Sequence, residues 1–418
     1  MFENLLFQPV SQQLQEDIIN NTLPNALLFS GPDFSGKLTA ALELARIVSC
    51  SEKALWTCTC PSCLKHKALV STSLLLAGSK NCSLEIAAAG KAFLSAYATN
   101  ASNIRAVRYL FLRSVRKLTL RFNPILWEGE DKVSKIAPLL ATIDEYLEEL
   151  ESDKEIEIKE LEKICKEVYT ATAKLENFMY ESVPVAQIRR INAWARYRTD
   201  SGKKVVILEN ADKMQEAGRN ALLKILEEPP EDVIFVLTTK RRNAVMPTIL
   251  SRVRTYHFVE RKREEEAVVI QRVFHGSIPP GSENQASIRA YLESFLPIDS
   301  QIIESAGRDF VFTLLAGKRV NLETLLETCG GFEPILLLTV FFKGIMLGLK
   351  EIREEPNLTK DAPFYLIRVE EMRIQCLNKI RECQDRIRIY NQNIMSALEL
   401  FTADIDIIIK KFRGGVIL

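Results

Sequence analysis

The sequence lacks an uninterrupted apolar run long enough to span a membrane. Its N-terminal residues include Glu3, Asn4 and Gln8, where a secretory signal would be apolar. It also lacks an excess of either charge, because 55 Lys and Arg residues are balanced by 54 Asp and Glu residues. These absences argue against membrane insertion and against nucleic-acid binding through bulk positive charge. We therefore expect a cytoplasmic protein without membrane contacts, whose DNA contacts are local or shared with partners.

The chain is long and apolar enough for several domains. Its 418 residues suit roughly two to four domains, and an apolar content of 47% supplies sizeable cores. Its most informative stretch begins with Val205 to Leu208, four β-branched or aliphatic residues that predict a buried parallel strand. That strand ends in Glu209 and Asn210, where an ATPase would hold its magnesium ion. The pattern predicts an α/β core with an acidic group at a strand end.

A helix, a second strand and an arginine follow in the same stretch. Asn220 to Glu228 predicts a helix that two prolines close, and Val233 to Thr238 predicts another buried strand. Arg252 comes after that strand on a short element, from which a guanidinium can point away from its own subunit. It is a candidate to contact a neighbouring subunit's nucleotide. The alternatives are a surface arginine or a member of a salt bridge.

A glycine-containing loop lies between a predicted strand and a predicted helix near the N-terminus. The strand is Leu27 to Phe29 and the helix is Thr39 to Val48. Glycines let backbone N–H groups approach phosphates, the helix N-terminus adds positive potential, and a lysine can reach the outer phosphates. The candidate nucleotide-site residues are Gly31, Gly36, Lys37, Thr39 and Glu209.

Three groups that ATP hydrolysis requires are missing or altered. Leu38 follows Lys37, where a working loop has a Ser or Thr hydroxyl for magnesium, and Thr39 is displaced by about 100° around the helix. Glu209 is one methylene longer than the usual Asp, and the amide of Asn210 cannot act as a base. These residues predict an inherited scaffold without hydrolysis. Binding of ATP and Mg²⁺ without hydrolysis is an open alternative, because Lys37 and both glycines are present.

Four of the nine cysteines lie within a short stretch. In a cytosolic chain such clustering favours a metal over disulfides, because thiols stay reduced there. Zinc binds four soft ligands at tetrahedral corners. The candidate ligands of a structural Zn²⁺ ion are Cys50, Cys58, Cys60 and Cys63, with His66 in reserve because one residue alone separates Cys58 from Cys60. The alternative is that some of these thiols are ordinary buried side chains.

Together these motifs resemble one family. The segments ALLKILEEPP (221–230), PVAQIRRINAWARYR (184–198) and LPNALLFSGPDFSGKLTAALELARIVSC (23–50) are similar to AAA+ clamp-loader subunits of bacterial DNA polymerase III, above all to the delta-prime type. The resemblance covers about residues 1–75 and 184–260, and the C-terminal region more weakly. Two departures stand out. The family's Ser-Arg-Cys motif is Ser-Arg-Val here. In the family two residues separate the second and third zinc cysteines, whereas one residue separates Cys58 from Cys60 in this chain.

The resemblance implies an α/β AAA+ core, a parallel sheet flanked by helices, with a zinc module, a small helical lid and a C-terminal all-α collar domain. The expected ranges are 1–258 for the core with its zinc module (50–66) and a helical insertion (about 79–182), 259–328 for the lid and 329–418 for the collar, opened by a break at Cys329–Gly331. In the family the collar holds five subunits in a ring.

The resemblance also implies a function. A subunit of this type helps the replicative clamp loader to place the sliding clamp on primed DNA during DNA replication, in a ring with motor gamma/tau-type and delta-type subunits. Arg252 is then an arginine finger for a neighbouring ATP site, and the chain has no ATPase activity of its own. Two alternatives are an active ATP-hydrolysing subunit of the gamma/tau type and a stand-alone zinc-containing DNA-binding factor.

Two further segments are predicted to be helical. Ile104 to Phe122 combines an apolar stripe with six basic residues, and Lys135 to Ala173 is acidic. We expect the two to fold back as a hairpin on the core; the alternative is that the basic helix touches DNA or the polymerase. Near the C-terminus, Glu333 to Glu351 and Pro363 to Phe412 predict long amphipathic helices.

Overall fold

The computed structural model describes residues 1–78, 82–152, 155–180, 182–197, 202–278, 281–295, 299–320, 334–354, 362–388 and 392–414. The chain divides into two compact units, Met1–Leu292 and Glu293–Leu418. The division into a core, a lid and a collar stays a prediction, and its expected break at Cys329–Gly331 lies outside the described residues.

A five-stranded parallel sheet forms the centre of the first unit. The strands are β1 Ala26–Ser30, β2 Leu74–Ala77, β3 Lys204–Leu208, β4 Val233–Thr239 and β5 Arg254–His257. They are ordered β2-β3-β4-β1-β5, and every neighbouring pair is parallel. All but β5 are buried at every position, as parallel strands covered on both faces should be. The predicted α/β core is confirmed.

Helices cover both faces of this sheet. In chain order they are α1 Val10–Ile19, α2 Lys37–Val48, α3 Pro61–Lys67, α4 Ser83–Ala98, α5 Ile104–Thr119, α6 Pro124–Trp127, α7 Val133–Glu151, α8 Ile158–Glu176, α9 Val185–Arg196, α10 Glu216–Glu227, α11 Pro247–Leu250, α12 Arg263–Val273 and α13 Ile288–Glu293. Alternate strand residues point to opposite faces. Val205 and Ile207 therefore pack with α1 and α2, whereas Val206 and Leu208 pack with α4, α5 and α7 to α10.

The helical insertion is larger than the predicted hairpin. The acidic segment is two helices, α7 and α8, and with α4 and α5 they form a bundle, so the prediction of one acidic helix paired with a basic one is wrong. The break has a tertiary cause. The hydroxyl of Tyr97 on α4 donates to the carbonyl oxygen of Ile156 at 2.6 Å and accepts from its N–H at 3.0 Å, which takes the backbone polar groups of Ile156 out of a helix.

The described elements of the second unit are helices. Its helices are α14 Ser300–Leu315, α15 Pro334–Glu354, α16 Ala362–Arg388 and α17 Ile394–Gly414. The phenylalanine rings of α14, α15 and α17 pack together, namely Phe310, Phe341, Phe342 and Phe401. The long helix predicted over residues 363–412 is instead two helices, because Asn393 accepts N–H bonds from Met395 and Ser396 and so begins α17 as a cap. No described helix is both long and apolar enough to cross a bilayer.

Candidate functional site

The register of the sheet places two candidate groups at the carboxyl ends of its strands. Leu208 pairs with Leu237, which pairs with Leu28, so β3, β4 and β1 end side by side. The glycine-containing loop follows β1, and Glu209 follows β3. Because the carboxyl ends of parallel strands are where α/β sheets bind ligands, this edge is the candidate nucleotide site.

The phosphate loop is tightly packed. A Cβ atom on Gly31 would lie 2.5 Å from the carbonyl oxygen of Phe258, so the close approach of the chain after β5 requires glycine there. Gly36 has a φ of 92° and directly precedes α2. Leu38 packs against the apolar core, and Thr39 is half-buried on the same helix. The loop therefore has a structural reason for both glycines besides phosphate binding.

Lys37 bends back onto its own loop. Its Nζ donates to the carbonyl oxygen of Gly31 at 2.7 Å and also to that of Pro32, and it lies 3.4 Å from the hydroxyl of Ser35. Burial lowers the pKa of Lys37 to about 8, against the nearby negative charges of Asp33 and other acids, which raise it. The ammonium group that is expected to reach phosphates is engaged by loop carbonyls instead.

Charge pairs lie beside the phosphate loop. Asp33 forms ion pairs with Lys240, at 2.6 Å, and with Arg289, at 3.3 Å. The guanidinium of Arg289 also lies 5.2 Å from the centre of the Phe34 ring. Arg261 donates to the carbonyl oxygen of Phe34 at 2.6 Å. Asp33, whose charge is compensated by two cations, and the bulky ring of Phe34 thus lie beside the loop.

Glu209 is engaged by a residue of the helical insertion. Arg121, just after α5, donates to Oε2 of Glu209 through Nη2 at 2.7 Å and through Nε at 3.1 Å. The side chains are 5% and 16% exposed, so solvent screens the pair little. The sequence indicated Arg121 only as one of the six basic residues of Ile104 to Phe122; its pairing with Glu209 was not predicted, because 88 positions separate the two residues.

A second carboxylate at this edge also has partners. Asp212 accepts a bond from the hydroxyl of Thr239 at 2.8 Å, and its side chain is 3% exposed. Arg241 lies 3.7 Å from the other carboxylate oxygen. Asp212 was not predicted as a site residue, although an acid three residues after Glu209 could have indicated a second carboxylate at this site.

Arg252 lies against its own subunit. Its Nε donates to Oε1 of Glu227, at the end of α10, at 2.9 Å. Its Nη1 donates to the carbonyl oxygen of Thr248 at 2.6 Å and to the hydroxyl of Ser251 at 3.2 Å. The ion pair is exposed, with 28% of the Arg252 side chain and 49% of the Glu227 side chain accessible. Exposed pairs contribute about 0–1 kcal/mol, so the guanidinium can leave this position at little cost.

The four predicted cysteines lie together, with Cys50 just after α2 and Cys63 in the first turn of α3. Their sulfur atoms are all within 4.8 Å of one another, and Sγ of Cys50 is 3.7 Å from that of Cys58 and 3.9 Å from that of Cys60. A tetrahedral zinc site with Zn–S bonds of about 2.3 Å places neighbouring sulfurs about 3.8 Å apart. The four cysteines therefore fit a zinc ion, and the single-residue spacing of Cys58 and Cys60 is accommodated.

Backbone N–H groups point at the sulfur atoms. The N–H of Glu52 donates to Sγ of Cys50 at 3.3 Å, and the N–H of Cys63 donates to Sγ of Cys60 at 3.4 Å. This second bond lowers the pKa of Cys60 to about 6. Because the thiolate is the form that binds metal, this bond favours metal ligation by Cys60.

A buried arginine organises the cysteine loop. Arg46, which is 1% exposed, donates to the carbonyl oxygens of Ala54 and Leu55 and to Sγ of Cys63, and forms an ion pair with Glu43 at 3.0 Å. Arg46 was not predicted as important, because its place in the sequence is that of an ordinary polar residue of an amphipathic helix. Its five N–H donors suit it to join several acceptors.

We expect the substitution Arg46→Met to lower the free energy of unfolding by about 3–5 kcal/mol, because it leaves the buried carboxylate of Glu43 without its partner. Urea denaturation of the zinc-loaded protein measures the loss. The double variant Arg46→Met/Glu43→Gln is the control, and it should recover part of the stability. A loss below about 1 kcal/mol for the single variant would show that this pair is unimportant.

His66 lies outside the four-sulfur group. It is buried and within 3.5 Å of the hydroxyl of Ser73 through Nε2, and its Nδ1 has no hydrogen-bond partner within the described structure. Burial and the nearby cations Arg46 and Arg113 lower its pKa to about 4. The reserve ligand is thus not brought to the metal position.

A lowered pKa of His66 predicts acid sensitivity. The unfolded chain protonates this imidazole near pH 6.5 and the folded chain only near pH 4, so stability is complete above about 6.5 and is lost as the pH falls toward 4. The loss amounts to about 3 kcal/mol at most. Denaturant unfolding at a series of pH values should show a smaller slope for His66→Gln than for the wild type over this range. Equal slopes would contradict the assignment.

The basic helix α5 uses its cations within the chain. Arg113 donates to the carbonyl oxygens of His66 and Lys67 in the cysteine module. Arg116 pairs with Glu151 at 2.7 Å, and Lys117 pairs with Glu85. These contacts favour a structural role for the helix over the alternative of a DNA-binding surface.

The strand order, the glycine-containing loop between β1 and α2 and the cysteine module after α2 define an AAA+ core with flanking helices. A family model described as DNA polymerase III, delta subunit, matches residues 7–262, more than half of the chain. The chain belongs to this family of DNA polymerase III clamp-loader subunits.

Individual relatives match shorter parts. The DNA polymerase III subunit delta' of Bacillus subtilis (strain 168) is 35% identical over 95 residues, which are 22% of this chain and 29% of that protein. The delta' subunit of Escherichia coli (strain K12) is 38% identical over 79 residues, 19% of this chain and 22% of that protein. The subunit gamma/tau of Mycobacterium tuberculosis (strain ATCC 25618 / H37Rv) is 49% identical over 64 residues, 15% of this chain and 10% of that protein. The chain matches less than a third of the length of each.

One solved structure gives a partial match. A DNA polymerase III gamma subunit-related protein from Thermotoga maritima is 19% identical, and the match covers 55% of this chain and 80% of that one. Its TM-score is 0.29, which is too low to establish a shared overall fold.

Proposed function

We propose that this chain is a delta'-type clamp-loader subunit that hydrolyses no ATP itself and lends Arg252 to the ATP site of a neighbouring motor subunit. The observation that carries the first half is the contact of Arg121 with Glu209. The carboxylate that would hold magnesium has a guanidinium as its partner. Leu38 in place of a hydroxyl and the inward-bent Lys37 support the same conclusion.

The second half is supported by the position of Arg252. The residue lies on an exposed element after α11, and a weak surface ion pair with Glu227 holds it. A guanidinium so placed can move onto the γ-phosphate of a neighbour's nucleotide and stabilise the charge that develops in the transition state. The partners of this proposal are gamma/tau-type and delta-type subunits in a five-membered ring, the sliding clamp, and primed DNA reached through the assembly.

An active gamma/tau-type subunit is the competing function. The identity of 49% with a gamma/tau subunit over 64 residues favours it. It requires Glu209 to hold magnesium and some other residue to act as the base, since Asn210 is an amide. The inward-bent Lys37 and the partner of Glu209 make this the weaker hypothesis.

Two measurements on purified proteins test the proposal. Native mass spectrometry of this chain with gamma/tau-type and delta-type subunits should show a ring that contains one copy of it. ATP hydrolysis by the isolated chain should not exceed that of a buffer blank, with the gamma/tau-type subunit alone as the positive control. Hydrolysis by the isolated chain, or a failure to assemble, would overturn the proposal.

A further inference from the structure

Hydrogen bonds to neighbouring residues hold Arg121 in its ion pair with Glu209. Nη1 of Arg121 donates to the carbonyl oxygen of Lys117, while Nε and Nη2 both donate to Glu209. The carbonyl oxygen of Arg121 itself accepts a bond from Nε1 of Trp127 at 2.9 Å. The guanidinium is thus buried with its charge compensated and several of its donors bonded, which is the condition under which a buried cation is stable.

The ion pair fits against the backbone because residue 78 is a glycine, which has no Cβ atom. A Cβ atom on Gly78, at the end of β2, would lie 1.8 Å from Oε2 of Glu209 and 3.0 Å from Nε of Arg121. Any other residue at position 78 would push the carboxylate away from the guanidinium. Gly78 and Arg121 therefore belong to one arrangement, although they come from the sheet and from the insertion.

A metal ion and a guanidinium compete for the same carboxylate. Magnesium binds hard oxygen ligands in a strict octahedron and repels a second cation at contact distance. Arginine stays charged at every accessible pH and needs no nucleotide to hold it in place. A carboxylate that is already paired with an arginine of its own chain should therefore bind Mg²⁺ weakly.

We propose that Arg121 is a built-in replacement for the metal ion at Glu209, supplied by the helical insertion. The insertion thereby fixes the end of β3 in a state that a magnesium nucleotide would otherwise organise. This inference deepens the proposed function, because it names the group that keeps metal out. It also gives the insertion a task, which is to deliver Arg121 to the sheet edge.

Metal binding by the full-length, zinc-loaded chain tests the inference. We expect wild-type protein to leave the electron paramagnetic resonance signal of free Mn²⁺ unchanged in the presence of ADP. The variants Arg121→Met and Arg121→Gln should reduce that signal, with an Mn²⁺ affinity higher by about tenfold or more, since one adjacent positive charge is removed. The matched control is Arg116→Met, which removes an arginine of the preceding helix α5 from its ion pair with Glu151.

Two kinds of result would overturn the inference. One is Mn²⁺ binding by the wild type equal to that of the variants. The other is no binding by any variant, which would mean that other residues keep metal out. Arg121→Gln keeps a hydrogen-bond donor beside Glu209 and serves if Arg121→Met does not fold. Because the readout is metal binding by the isolated chain, failure here leaves the assembly of the ring and the role of Arg252 untouched.

Discussion

Replacing Arg252 by alanine should slow ATP hydrolysis at the neighbouring site of an assembled loader by about 10³-fold. Arginine fingers contribute about 10³–10⁵ to the rate of phosphoryl transfer, because the guanidinium stabilises charge that develops in the transition state. Single-turnover hydrolysis by a loader reconstituted with the sliding clamp and primed DNA measures the effect. Arg252→Lys should rescue little, since an ammonium cannot make the same planar pair of bonds.

The control for this substitution is Arg242→Ala. Arg242 is another exposed arginine, in the loop between β4 and α11, and its loss should leave hydrolysis unchanged. Glu227→Gln removes the partner that holds Arg252 in the isolated chain. It should leave the rate unchanged or raise it slightly, because the pair that it breaks is exposed and weak. Equal losses for Arg252→Ala and Arg242→Ala would mean that Arg252 is an ordinary surface residue.

Loss of the metal should unfold the cysteine module. We expect about one equivalent of zinc in the purified protein and almost none in the variant Cys60→Ser. Structural zinc contributes about 10–16 kcal/mol of binding free energy in zinc-finger peptides. Without it, residues 50–67 have little apolar surface of their own to bury. Hydrogen exchange should therefore show loss of protection over these residues in Cys60→Ser.

Cys165→Ala is the control for the metal. Cys165 is buried in the helical insertion, outside the four-sulfur group, so its removal should leave the zinc content unchanged. Elemental analysis of both variants and the wild type decides the matter. A wild-type zinc content far below one equivalent, or full retention of zinc by Cys60→Ser, would contradict a four-cysteine site.

The buried strands β1, β3 and β4 were predicted because each is a continuous apolar run, whereas β2, which is equally apolar and buried, was not predicted. β3 and β4 are covered on both faces, so their residues show no alternation and stand out in the sequence. β5 was not predicted, since Tyr256 is its one buried residue and the strand lies at the sheet edge. The breaks in the long helical segments were missed as well. One of them depends on Tyr97, a residue about 60 positions from Ile156, and periodicity within a segment cannot report such a contact.

The candidate site was predictable in its parts but not in its pairings. The types of Leu38 and Asn210 alone argue against hydrolysis. The contact of Arg121 with Glu209 joins the insertion to the sheet, so no local pattern reveals it. The cysteines were found from spacing, whereas Arg46, which links them to the core, has no distinctive motif around it. Residue types and short spacings can thus be interpreted from the sequence, whereas contacts between distant residues are known only from the three-dimensional structure.

The most direct test of the account is ATP turnover by a loader assembled with the Lys37→Met form of this chain. Lys37 is the one residue on which ATP hydrolysis by this subunit itself would depend most, and the structure has it bonded to its own loop. We expect the loader with the Lys37→Met chain to hydrolyse ATP at the same rate as the wild-type loader. A fall of about 10²-fold or more would mean that this chain hydrolyses ATP, and it would contradict the role of a subunit that acts only through Arg252.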